Sequence, residues 1–258
     1  MAWRMDAHAR GTFTMTEVHA DRSEVVTPDA LLALMQLADS SFPAGLFTFS
    51  NGLEMAVNAG LVHDAASLDL YLSDWLAWSV GPGDAVVVAA SHRATSSGNV
   101  EQLFEIARWV HASRIPREAR DASSRPGARM LTTARDLVPF GPSRNVVVAL
   151  ANAVEKGAVP APYAVAFGAC AEACGVPVGA AVLASVQGAA MGLLGAALRL
   201  MRIDHRQTQA ILRGQAPRIA SIAASAVGGD WRSISPGHPG LDLIQMHHEG
   251  AYVRLFMS

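Results

Sequence analysis

The stretch Ala173 to Leu198, ACGVPVGAAVLASVQGAAMGLLGAAL, contains no charged residue, and its reading decides the fold. It is long enough to span a bilayer, and Gly188 with Gly192 forms a GxxxG step of the kind that joins membrane helices. The magnitudes favour a helix in a protein core. The strongly apolar residues after Gly179 are Val182, Leu183, Val186, Leu193, Leu194 and Leu198. At roughly 0.3 to 0.6 kcal/mol each they give about 2 to 4 kcal/mol toward insertion. Ser185, Gln187 and the glycines Gly179, Gly188, Gly192 and Gly195 reduce that sum. No aromatic belt flanks the segment, and no second span accompanies it. It is therefore expected to be the central helix of a soluble protein, buried on all sides by neighbours that approach over small residues.

Helical signals continue on both sides. Thr27-Pro28-Asp29 combines an N-cap, a first-turn proline and a first-turn acid, and opens a helix from Ala30 to Ala38. A loop from Asp39 to Gly52 leads to a short helix, Leu53 to Ala59, that stops at Gly60. Asp64 caps a helix whose apolar face is Leu68, Tyr71, Leu72, Trp75, Leu76 and Ser79, and Gly81-Pro82-Gly83 is expected to break it. Val86-Val87-Val88 has strand propensity but leads into alanines, so it reads as buried helix. Further helices are expected over Val100 to His111, on both sides of Pro126-Gly127, over Val146 to Lys156 and over Tyr163 to Cys174. Asp204 with Gln207 resembles a capping box for a helix reaching about Ala226. A Pro/Gly loop, Gly228 to Gly240, and a last short helix complete an all-α, single-domain bundle of about ten helices over residues 27–258. Met1 to Val26 has neither signal-peptide nor transit-peptide character and is expected to be a flexible tail.

Composition narrows the function. The net charge of -2 gives no bulk attraction to nucleic acid or anionic lipid. Charged residues make up only 16% against 51% hydrophobic, and so weakly charged a surface is expected to be partly hidden in a partner. Lys156 is the only lysine. An arginine bias of that kind suits interface forks and follows equally from a GC-rich genome. Cys170 and Cys174 are the only cysteines, too few for a disulfide framework and consistent with a reducing compartment.

No site of turnover is legible. A phosphate-binding GxxxxGK[ST] loop is absent, as are GxSxG, HExxH and GxGxxG patterns. Cys170 and Cys174 are spaced for one helix face, but two thiols are too few for a metal and read more simply as packed side chains. His247-His248-Glu249 cannot all converge, because adjacent helical positions point about 100° apart. No metal site is expected. Arg114, Arg117, Arg120, Arg125 and Arg129 form a stripe with Glu118 and Asp121 alongside. It fits a solvated face or a docking face for an acidic partner, and the missing aromatic interleaving argues against nucleic acid. The loop around Phe42, Phe47 and Phe49 and the ending Tyr252-Val253-Arg254-Leu255-Phe256 carry large apolar groups outside regular helix. Either they fold back on their own core or a neighbouring protein keeps them dry, and we expect the second.

At these two segments the chain resembles the UreF family of urease accessory proteins. Leu34-Met35-Gln36-Leu37-Ala38-Asp39-Ser40 followed by Phe42-Pro43-Ala44-Gly45-Leu46-Phe47-Thr48-Phe49-Ser50-Asn51-Gly52-Leu53-Glu54 is similar to that family's LLQLAS…LPxGxFSYSxGLE signature. His248-Glu249, Tyr252, Arg254-Leu255-Phe256 and Ser258 are similar to its HExxYxRLFxS tail. Arg117-Glu118-Ala119-Arg120 stands where the family has RELR, and Gly127 with Leu131 fits the GxxLL that follows. Two departures stand out: Phe49 replaces a tyrosine, and Arg202 to Gln209 replaces PLGQxxxQ with only Gln209 retained.

The resemblance implies an all-α, cytoplasmic homodimer without catalytic centre or intrinsic cofactor. It would bridge UreD (also called UreH) and the GTPase UreG, as scaffold and gate, so that nickel reaches apo-urease. The implied contact residues are Phe42, Pro43, Gly45, Phe47, Phe49, Ser50 and Glu54 in the loop, Arg117, Glu118 and Arg120 in the stripe, and His248, Glu249, Tyr252, Arg254, Leu255 and Phe256 in the tail. The alternative is a GTPase-activating regulator that offers UreG an arginine finger such as Arg120 or Arg129.

Overall fold

The computed structural model describes residues 25–44, 49–139, 141–235 and Phe256. Among them every regular element is helical. In chain order these are α1 (Pro28–Ala38), α2 (Leu53–Asn58), α3 (Ala65–Trp75), a π-helix (Leu76–Ala85), α4 (Val86–Ser96), α5 (Val100–Ser113), α6 (Arg117–Leu137), α7 (Pro142–Glu155), α8 (Tyr163–Ala173), α9 (Val178–Leu200) and α10 (His205–Ala226). A single 3-10 turn, Trp231–Ser233, follows. The last short helix expected near the C-terminus lies outside the described residues.

The helix starts are set by local chemistry. Thr27 Oγ1 accepts the Ala30 N–H at 3.2 Å. Asp64 accepts the Ser67 N–H at 2.8 Å while Ser67 Oγ accepts the Asp64 N–H at 3.0 Å. Asp204 and Gln207 make the same reciprocal pair at 2.8 and 3.0 Å. Each satisfies donors that a helix end leaves without an internal partner.

Gly81-Pro82-Gly83 does not break the chain, contrary to the expectation from sequence. From Leu76 to Ala85 the backbone takes wide π-turns and passes directly into α4. A proline removes one donor and crowds the turn before it, and a π-segment tolerates both by shifting the bonding register. The Pro82 carbonyl is used elsewhere, accepting the Ser235 N–H at 3.1 Å. Pro126 likewise sits inside an unbroken α6.

The core lies where α4, α8 and α9 meet. Val87, Val88, Phe167, Leu193 and Val186 are almost wholly enclosed there. At Gly168 an added Cβ would stand 2.4 Å from the Val88 carbonyl oxygen, so only glycine lets α8 approach α4 this closely. His92 fastens the other end of that contact, its Nε2 2.7 Å from the Val176 carbonyl and 3.3 Å from Glu172 Oε2.

α9 is central but not covered on every side. Val182, Val186, Ala190, Leu193, Leu194 and Ala197 face the core, whereas Leu183 and Met191 are exposed. Apart from α9's own backbone, no atom of the described residues lies within 4 Å of where a Cβ would stand at Gly188, Gly192 or Gly195. The expectation of burial all round is corrected here: these glycines wall an open groove, and among the described residues no neighbouring helix packs against them. Among the described residues α9 alone is long and apolar enough to cross a membrane, with 44% of its apolar window buried in the bundle.

Candidate interaction site

The signature loop is built by short-range hydrogen bonds. Asp39 ends α1 and accepts the Ser41 N–H at 2.6 Å and also the Ser41 hydroxyl. Those two bonds hold its carboxyl below the usual carboxylate range. The Phe42 N–H donates to the Asp39 carbonyl at 3.0 Å, turning the Phe42 ring inward. Asn51 and Gly52, both with positive φ (52° and 82°), reverse the chain into α2. The Tyr71 hydroxyl donates to the Asn51 carbonyl at 3.0 Å. Burial raises the Tyr71 pKa, so it keeps its proton for that bond.

α2 carries the residue that matters most. Glu54 is buried, with 5% of its surface exposed, and its N–H lies 3.5 Å from Ser50 Oγ. Its Oε2 accepts the Phe256 N–H at 3.1 Å, across 202 residues of sequence. The Phe256 ring is equally buried, and the Arg199 guanidinium lies 4.2 Å from its centroid. A cation over an aromatic face is attracted by about 0.5–2 kcal/mol, the larger values where water is excluded. Glu54 and Phe256 thus form one joint, flanked by α9 through Arg199.

This corrects one expectation. Phe42, Phe49 and Phe256 are kept dry by the chain's own helices, without a neighbouring protein. Pro43 is exposed at the rim, while Gly45, Phe47, His248, Glu249, Tyr252, Arg254 and Leu255 lie outside the described residues. Arg199 belongs to none of the patterns that mark the site in the sequence. The signal for it is that it is the first charge after the uncharged run.

Beside the joint lies a groove of about 620 Å³, with Phe42, Phe49, Arg114, Tyr163, Gly188 and Arg199 among its lining. The arginine stripe divides around it. Arg114 pairs with Asp84 across the groove wall. Arg120 Nη1 donates to the Arg114 and Ile115 carbonyls, both at 2.7 Å, and so braces the α5–α6 turn. Arg125 pairs with Asp121 at 3.4 Å on the outer face, where Arg117 and Arg129 are also exposed and Glu118 is half-buried. The stripe is therefore part brace and part open surface.

Among the described residues no group of three or more His, Cys, Asp or Glu side chains could hold a metal ion. His247 to Glu249 fall outside that search. Cys170 is fully buried, and burial, with Cys174 adding, raises its thiol pKa; burial raises that of Cys174 as well. Neither is poised as a thiolate. Alkylation of the native protein is expected to reach Cys174 slowly and Cys170 only after denaturant opens the core. Peptide mapping by mass spectrometry checks this, and fast native labelling of Cys170 would contradict its placement.

The fold and the joint define an all-helical protein in which Glu54 and Phe256, from two distant stretches of sequence, meet at one buried carboxylate. Residues 62–216 match the family model described as UreF. Among curated relatives, the urease accessory protein UreF of Brucella ovis is 34% identical over 233 residues, covering 89% of this chain and 94% of the relative. Those of Methylorubrum populi and Trichodesmium erythraeum are 32% and 31% identical, each over 88% of this chain and at least 96% of their own length. The chain belongs to the UreF family of urease accessory proteins.

Proposed function

We propose that this chain is a non-enzymatic scaffold of urease maturation that bridges UreD (UreH) and the GTPase UreG, as a cytoplasmic homodimer, so that nickel reaches apo-urease. Nickel is cargo of the assembled complex, and the chain itself carries no resident cofactor. The observation that carries the reading is the joint at Glu54. Two segments that resemble the family's signatures are brought together there, and an open groove borders the meeting point. A surface assembled from both ends of the chain suits recognition of a partner that must sense the folded state. Pro43 at its rim, with Arg117 and Glu118 on α6, supplies further polar and apolar contacts.

Removal of residues 253–258 should abolish co-purification with UreD while leaving helix content by circular dichroism unchanged. Retained co-purification of the shortened chain would refute the assignment of the tail. In the regulatory alternative, Arg120 is already engaged by two carbonyls. The exposed Arg129 is therefore the better-placed finger.

A further inference from the structure

After α10 the chain does not leave the bundle freely. Val227 to Ser235 is fastened at three points. At the first, Arg93 in the last turn of α4 reaches across to the end of α10. Its Nη1 donates to the Val227 carbonyl, and its Nη2 donates to the Gly229 carbonyl at 3.0 Å. At the second, Trp231 is buried edge-on to the Trp109 ring, with centroids 6.1 Å apart. The Arg232 guanidinium lies 4.2 Å from the Trp231 centroid. Asp230 accepts the Arg232 N–H at 3.0 Å and starts the 3-10 turn that carries Trp231. At the third, the Ser235 N–H donates to the Pro82 carbonyl of the π-helix at 3.1 Å.

These bonds exceed what the end of a helix requires. Its last carbonyls are ordinarily met by water or by a backbone N–H a few residues on. Here a guanidinium from another helix holds the carbonyl of the C-cap residue Val227 and that of Gly229 beyond it. Arg93 is ion-paired to no described carboxylate, so its fork serves this segment. A planar fork fixes direction as well as distance, which an ammonium group does not. The large Trp231 side chain supplies the apolar part of the fastening. The exit from α10 is therefore aimed, and the chain reaches Ser235 beside the π-helix before residues 236–255 begin. At the far end of those residues Phe256 is held by Glu54. The C-terminal stretch is thus anchored on both sides. Neither Arg93 nor Trp231 falls within the segments that resemble the family's signatures.

We propose that Arg93 and Trp231 are positioning residues for the binding of UreD. They hold Val227 to Ser235 against α4 and the π-helix, so that the C-terminal stretch meets its partner with the upstream end already fixed. This rests on the reading above that the tail engages UreD. A protein whose binding-competent form is only partly populated binds with an affinity reduced by that fraction. The test therefore takes two readouts on the full chain: hydrogen exchange over residues 229–235 and affinity for purified UreD. Arg93→Ala with Trp231→Ala should speed exchange there about tenfold or more and weaken UreD binding about fivefold or more, at unchanged helix content. Arg93→Ala alone should move both readouts the same way by less. Arg93→Lys, which keeps the charge but not the fork, should recover part of that loss. Should the double variant lose helix content, Arg93→Ala carries the test, because Arg93 is exposed and its removal empties no buried site. Faster exchange with unchanged UreD affinity overturns the positioning role and leaves the scaffold reading standing. Unchanged exchange overturns it too, since the two side chains would then not hold the segment. If the parent chain does not bind UreD, the scaffold reading itself falls, and this role with it.

Discussion

Gly127→Ala is expected to destabilise the chain by about 3 kcal/mol or more, although alanine is the better helix former. In an exposed helix the exchange would gain about 1 kcal/mol. Here an added Cβ would stand 1.9 Å from the Ala161 carbonyl oxygen and 2.9 Å from both Ala161 C and Tyr163 N. Those atoms are backbone and cannot rotate away, so α6 must lift off the segment that enters α8. Lifting it opens the contact where Tyr163 N–H donates to Ser123 Oγ at 3.3 Å and where Met130, Leu131 and Ala134 are buried. The steric cost therefore outweighs the propensity gain. Urea unfolding monitored by circular dichroism measures the difference. A variant as stable as the parent would mean that α6 and α8 do not approach as closely as described.

Glu54→Ala is expected to release the tail. The carboxylate accepts the Phe256 N–H in a place where only 5% of Glu54 is exposed. A hydrogen bond to a charged group contributes about 1.5–3 kcal/mol, and its loss also leaves the buried Phe256 N–H without that acceptor. Arg199 over the Phe256 ring would remain, but a cation–aromatic contact of about 0.5–2 kcal/mol is too weak to keep Phe256 seated alone. Glu54→Gln keeps the size and an acceptor oxygen, so it should retain most of the seat. Limited proteolysis followed by intact-mass measurement separates the two variants. Cleavage near the C-terminus should accelerate about tenfold or more in Glu54→Ala, as a loss of about 1.4 kcal/mol or more requires, and far less in Glu54→Gln. Equal rates in parent and alanine variant would show that the carboxylate does not hold the tail.

The two effects fall on different parts of the molecule. Gly127 governs whether the bundle closes, while Glu54 governs whether the chain's two signature segments stay together on a bundle already closed. A partner that needs the joint should be lost in Glu54→Ala at full helix content. In Gly127→Ala it should be lost only in proportion to unfolding.

What the sequence determined by itself is the chemistry that acts over a few residues. Thr27, Asp64 and Asp204 mark helix starts because a side chain can reach a backbone N–H only two or three positions on. The all-helical class follows from such caps and from apolar spacing, and the loop and tail were legible as segments whose aromatics needed cover. What only the tertiary structure decided is which groups provide that cover and which faces stay open. Local pattern marks Gly81-Pro82-Gly83 as a stop, yet packing and a shifted bonding register carry the helix through. The same uncharged run that reads as a helix enclosed on every side has its glycine edge facing a groove. Arg114 and Arg120 look alike in a stripe, but one meets Asp84 and the other meets carbonyls at a turn. Glu54, Arg199 and Phe256 are far apart along the chain, and nothing near any of them in sequence specifies the others. Their meeting is a property of the folded chain, because only the packing of α9 beside α2 brings the exposed Arg199 cation over a ring and a carboxylate that are themselves buried.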